Sequence, residues 1–140
     1  MGTASPLIAV VDDEAPVRTM LRRALRLADY EVATFASGQE LLDSLPGRVP
    51  ACAILDIRMP GLSGLDVAER MRVRGIPVPV ILITAHDDSA LDRSAVAAGA
   101  ICLLRKPFST DTLLEALRCA LDESARGTRP LEAASSLTKG

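Results

Sequence analysis

The chain has 140 residues, 49% of them hydrophobic, and its 16 basic against 18 acidic side chains leave a net charge of −2. That is enough apolar material for one packed domain and too much for a disordered chain, and the near-even charge balance speaks against a generic basic surface for nucleic acid. No apolar run approaches the length of a membrane span, and Met1 to Pro6 carries neither a signal-peptide core nor the myristoylation pattern.

Leu7 to Val11 reads as a first strand, followed at once by Asp12-Asp13-Glu14. A helix comes next, with Val17, Met20, Leu21, Ala24, Leu25 and Ala28 on one face, Arg18, Arg22, Arg23 and Arg26 on the rest, and Pro16 in the tolerant first turn. Tyr30 to Phe35 is a second strand. Ser37 and Glu40 have capping-box spacing before a short helix with Leu41, Leu42 and Leu45, which Pro46-Gly47 ends. Ala51 to Leu55 is small and apolar, as a strand covered on both faces should be, and it runs straight into Asp56 before Met59-Pro60-Gly61 turns the chain.

Ser63 caps a third helix, with Asp66 in its first turn, Leu65, Ala68 and Met71 inward and Gly75 at its end. Val80 to Ile83 is the fourth strand, with Thr84 at its carboxyl end. Asp88 to Ala98 is an alanine-rich helix whose thin apolar face suits an element that can shift. Ile101 to Leu104 is the fifth strand, then Arg105-Lys106-Pro107-Phe108. Ser109 caps a last helix carrying Leu113, Ala116, Leu117, Ala120 and Leu121. Residues 1–124 are expected to form one domain, and residues 125–140, small, polar and Gly/Pro-containing, a tail or linker. Cys52, Cys102 and Cys119 lie in apolar sequence without metal or redox spacing, so they read as reduced core residues of a cytoplasmic protein, a redox role being the weaker reading.

Five alternations of strand and helix predict an α/β fold: a five-stranded parallel sheet with helices on both faces. Asp12, Asp13, Asp56, Thr84 and Lys106 then converge on the carboxyl edge of that sheet, where such folds bind ligands. A cluster of carboxylates calls for a cation, and oxygen donors with room for water and phosphate suit Mg²⁺. Asp13 and Asp56 are expected as direct ligands, Asp12 through water, and the backbone carbonyl of Arg58 as a further donor. Asp56 is the expected nucleophile for a phosphoryl group, with Lys106 and the Thr84 hydroxyl on the phosphoryl oxygens. Taken singly, Asp12-Asp13 would be an ordinary acidic pair at a helix N-terminus, Thr84 a strand end and Lys106 a solvated lysine; their order and spacing carry the reading.

Val11-Asp12-Asp13-Glu14, Leu55-Asp56-Ile57-Arg58-Met59-Pro60-Gly61, Thr84-Ala85 and Lys106-Pro107-Phe108 together resemble the receiver domain of bacterial response regulators, over about Leu7 to Asp122. The resemblance implies a flavodoxin-like (βα)5 fold, Mg²⁺-dependent phosphorylation of Asp56 by a partner histidine kinase, hydrolysis of the aspartyl phosphate, and a cis bond before Pro107. Phosphorylation would switch dimerisation or an output, by a phosphoacceptor that is not a classical enzyme. Thr84-Ala85-His86-Asp87 and Gly99-Ala100 look most like the FixJ-like branch, whose members usually carry a DNA-binding domain; Ser135-Ser136-Leu137-Thr138 resembles the lead-in to one. The alternative is a stand-alone receiver with a disordered tail. Receivers commonly place Tyr or Phe three residues before the lysine, and this chain has Leu103 there, so the usual aromatic switch does not transfer.

Three other readings stay open at this point. A haloacid-dehalogenase-type phosphatase would resemble a D-x-D pattern, but Asp56-Ile57-Arg58 puts a base at its second position. A flavodoxin-type FMN carrier would need a Ser/Thr/Gly-rich loop where Asp12-Asp13-Glu14 stands. A receiver acting as an unphosphorylated scaffold is kept open by Leu103.

Overall fold

The computed structural model describes residues 5–86 and 89–126. Asp87, Asp88 and the expected lead-in Ser135 to Thr138 lie outside the described residues. In chain order the elements are β1 (Leu7–Val11), α1 (Ala15–Leu27), β2 (Glu31–Phe35), α2 (Gly38–Ser44), β3 (Cys52–Asp56), α3 (Gly64–Val73), β4 (Val80–Thr84), α4 (Ser89–Ala97), β5 (Cys102–Arg105) and α5 (Thr110–Arg126). Among the described residues one five-stranded sheet forms in the order β2-β1-β3-β4-β5, every pair parallel. This is the expected architecture, with helices on both faces. The Lys106–Pro107 bond is cis.

The two-residue period of the strands sorts their side chains into two cores. Ile8, Val10, Cys52, Ile54, Ile81 and Ile83 face α1 and α5, where Leu21, Leu25, Leu113 and Leu117 meet them. Ala9, Val11, Ala53, Leu55 and Leu82 face α2, α3 and α4, meeting Leu41, Val67, Met71 and Ala95. β3 is buried along its whole length, as its unbroken apolar run requires.

The helix starts follow from side-chain caps. Ser63 Oγ accepts the Asp66 N–H at 3.1 Å while Asp66 Oδ2 accepts the Ser63 N–H at 3.0 Å, a complete capping box. Ser109 Oγ accepts the Thr112 N–H at 3.0 Å. Ser37 also caps its helix, but Glu40 reaches one residue further back, to the Ala36 N–H at 3.0 Å. Its box is therefore shifted by one position from the sequence expectation.

Two expected core residues lie outside. Met20 is 57% exposed, because the buried stripe of α1 runs through Leu21 and Leu25 and residue 20 lies about 100° round the helix from Leu21. Cys119 is exposed, since α5 turns Leu117 and Ala120 inward and residue 119 falls away from both. α5 also continues past Asp122, where its apolar repeat ends, to Arg126.

Candidate functional site

β1 and β3 are neighbours in the sheet, with Val11 opposite Leu55. Asp12 and Asp56 therefore leave the sheet side by side at its carboxyl edge. Asp12 is 1% exposed. Its Oδ1 accepts the Glu14 N–H at 2.9 Å, its own N–H donates to the Phe35 carbonyl at 3.2 Å, and its carbonyl accepts from Arg18 Nη1 at 2.7 Å. Arg18 thus fastens the first turns of α1 to the acidic loop. Asp13, next along, is exposed. Carboxylate oxygens of Asp12, Asp13 and Asp56 all lie within 4.8 Å of one another.

Asp56 is 7% exposed, and its Oδ1 accepts the Arg58 N–H at 3.4 Å. Burial, then the charge of Asp12, pushes its carboxyl up to about 6 from the usual 3.8, against the opposing pull of Lys106 and the Arg58 N–H. Lys106 Nζ stands 3.7 Å from Asp12 Oδ2. One ammonium among three carboxylates leaves an excess of negative charge that a hard cation would neutralise, and the donors are all oxygen. Such a set suits Mg²⁺ chemistry.

Thr84 is fully buried at the end of β4. Its Oγ1 accepts the His86 N–H at 3.0 Å, which leaves the hydroxyl proton for another acceptor, and its carbonyl accepts the Lys106 N–H at 2.8 Å. The β4–β5 ladder, which pairs Thr84 with Arg105, thereby sets where Lys106 departs. Arg58 and His86 are both exposed. The expected site residues Asp12, Asp13, Asp56, Arg58, Thr84 and Lys106 all follow or end strands at this one edge. Leu103 is partly buried and packs against the core that includes Ala95 of α4.

Three participants were not legible beforehand. Gly64 begins α3 so close to the end of β3 that a Cβ there would sit 2.5 Å from the Asp56 carbonyl oxygen. Its only sequence signal is the Gly61-Leu62-Ser63-Gly64 turn composition. Arg18 looked like one of several solvated arginines. Arg105 pairs with Asp92 at 3.3 Å, a contact between the consecutive elements β5 and α4.

A doubly wound parallel sheet with carboxylates, a hydroxyl and an ammonium gathered at its carboxyl edge defines an α/β protein whose chemistry sits on the loops after the strands. The family model for the response regulator receiver domain matches residues 8–118, and the chain belongs to that family. FixJ, a transcriptional regulatory protein of Bradyrhizobium diazoefficiens, is 37% identical over 117 residues, covering 84% of this chain and 57% of FixJ. The solved structure of FixJ-N has a TM-score of 0.80 at 30% identity, covering 86% of this chain and 96% of that one. The chemotaxis protein CheY4 of Vibrio cholerae also has a TM-score of 0.80 at 30% identity, covering 84% of this chain and 100% of that one. The chain spans about half the length of the curated relatives it matches. It is a receiver domain of the two-component response regulators, a class of signalling proteins. Among the described residues no helix is long and apolar enough to cross a membrane.

Proposed function

We propose that Asp56 accepts a phosphoryl group from a histidine kinase and that the resulting aspartyl phosphate switches the domain. The observation that carries this reading is a buried carboxylate at the end of β3, gathered with Asp12 and Asp13 within 4.8 Å. Asp13, Asp56 and the Arg58 backbone carbonyl would hold Mg²⁺ directly and Asp12 through water. Bound there, the ion supplies neutralisation of the phosphoryl oxygens.

An Asp56 carboxylate oxygen forms the bond to phosphorus as the bond to the donor's leaving group breaks. Lys106 presents a positive charge to one phosphoryl oxygen and Thr84 donates its hydroxyl proton to another. Hydrolysis later returns the carboxylate. The domain is a phosphoacceptor that catalyses its own phosphorylation and dephosphorylation rather than a classical enzyme. Thr84 and α4 form the responding element, and the output is homodimerisation or control of a DNA-binding domain joined through residues 125–140. The setting is cytoplasmic. With Leu103 at the usual aromatic position, the signal runs through the β4–α4 backbone rather than a rotating ring.

Incubation with acetyl phosphate, with and without Mg²⁺, followed by intact mass tests this directly. A single Mg²⁺-dependent phosphate adduct, absent in Asp56→Asn, is expected. No adduct on folded protein in donor excess overturns the reading and leaves a scaffold that signals without phosphate.

A further inference from the structure

β1 and β2 turn two alanines toward α2. Ala9 and Ala33 are direct partners in the parallel register, so two small side chains stand together where larger ones would fill the space. The helix above them is short. α2 has seven residues, about 10 Å at 1.5 Å per residue, whereas a five-residue strand runs about 16 Å. Helix and strand therefore do not cover each other along their full length, and a cavity of about 120 Å³ remains. Phe35 lines it toward the carboxyl edge of the sheet and Leu7 toward the opposite edge, with Leu41 of α2 over the alanines. Ala9 and Leu41 are buried, while Leu7, Ala33 and Phe35 are half-buried, since β2 is an edge strand. The polar groups at the rim are already engaged. Ser44 Oγ donates to the Leu41 carbonyl at 2.7 Å, and the Arg48 guanidinium donates to Glu31 at 2.7 Å.

We propose that this cavity is a binding site for a small neutral apolar molecule, a single aromatic ring or a short branched hydrocarbon. A water molecule needs two to four polar partners, and an apolar cavity of about 150 Å³ stays dry and takes benzene or xenon. The present cavity is slightly smaller and lined by the same kind of carbon, so its guest is no larger than one ring. A carboxylate on that ring would meet an arginine already neutralised by Glu31 and would lose its hydration without a partner. The site lies between β1, β2 and α2 and does not depend on the phosphoacceptor reading of Asp56.

The test titrates the protein with benzene and follows its methyl groups by carbon–proton correlation spectra. Saturable shifts are expected at Leu7, Ala9, Ala33 and Leu41, with Leu25 and Leu117 of the opposite core unmoved, and the thermal midpoint rises with benzene. Ala33→Val branches the side chain into the cavity from a strand position that suits a β-branched residue, and it abolishes the saturable shifts. The wild-type spectra locate the site without any variant, so they remain decisive if Ala33→Val folds poorly. Benzoate in place of benzene should leave the same methyls unmoved. Shifts that grow linearly to the solubility limit, or that spread through both cores, overturn the proposal. So does saturable binding that survives in folded Ala33→Val, or benzoate binding more tightly than benzene.

Discussion

The corner where β3 enters α3 and the corner where β4, α4 and β5 meet frame the same pocket, and they are built to different tolerances. At the first, Gly64 leaves no room for a methyl group against the Asp56 carbonyl, a complete capping box fixes the helix start, and Val67, Ala68 and Met71 are buried behind it. At the second, α4 buries only Ala95 among its own residues, and Asp92 reaches Arg105 across a largely exposed gap. Under the phosphoacceptor reading, the reacting carboxylate sits on the corner that cannot give, while the element that would respond sits on the corner with least to lose by moving.

Four measurements break or sharpen that contrast. The largest stability effect is expected from Gly64→Ala. The added carbon meets backbone atoms of Asp56 and Ile57 rather than a flexible side chain, and overpacking of this kind costs about 3 kcal/mol. A denaturant midpoint unchanged from wild type would show that the β3–α3 corner yields after all.

Next comes pH. Without metal, the folded Asp56 carboxyl titrates at about 6 against 3.8 as its ordinary value. The folded state therefore holds its proton more tightly than the unfolded one, and stability falls as pH rises from about 4 to about 6. The loss is about 2 kcal/mol, since a full unit is worth about 1.4 kcal/mol and the site is not wholly sealed from water. Asp56→Asn should flatten this limb in urea titrations, and Mg²⁺ should raise wild-type stability above pH 6 and leave the variant less affected. Parallel wild-type and variant curves would mean that the site does not strain this carboxylate.

Ser63→Ala removes one half of the capping box and should cost about 1 kcal/mol, read as a lower thermal midpoint. At the other corner, Asp92→Asn deletes an exposed ion pair worth less than about 0.5 kcal/mol. Global stability should barely change, while α4 amides exchange faster with solvent than those of α3. Equal protection of both helices in the variant would erase the distinction between the corners.

The strands, the helix caps at Ser63 and Ser109, and the convergence of Asp12, Asp13, Asp56, Thr84 and Lys106 were all legible in the order of residues. Apolar runs of strand length ending in polar groups, with turn residues beyond, are local signals. Parallel alternation then leaves one edge for those groups to share. The branch resemblance was legible for the same reason, since its motifs are short and contiguous.

Tertiary packing decided the rest. Asp12 and Asp13 are adjacent and chemically identical, yet one is sealed against Lys106 and the other is exposed, because only the first continues the line of β1. Met20 fitted the apolar face of its helix and Cys119 lay in apolar sequence, yet both are outside, because each sits about 100° or more round its helix from the stripe that packing against the sheet selects. Gly64 against Asp56, Arg18 on the Asp12 carbonyl and Arg105 on Asp92 are distances between elements. Local sequence encodes which elements form and what chemistry they carry. How closely those elements approach is a property of the assembled sheet and helices.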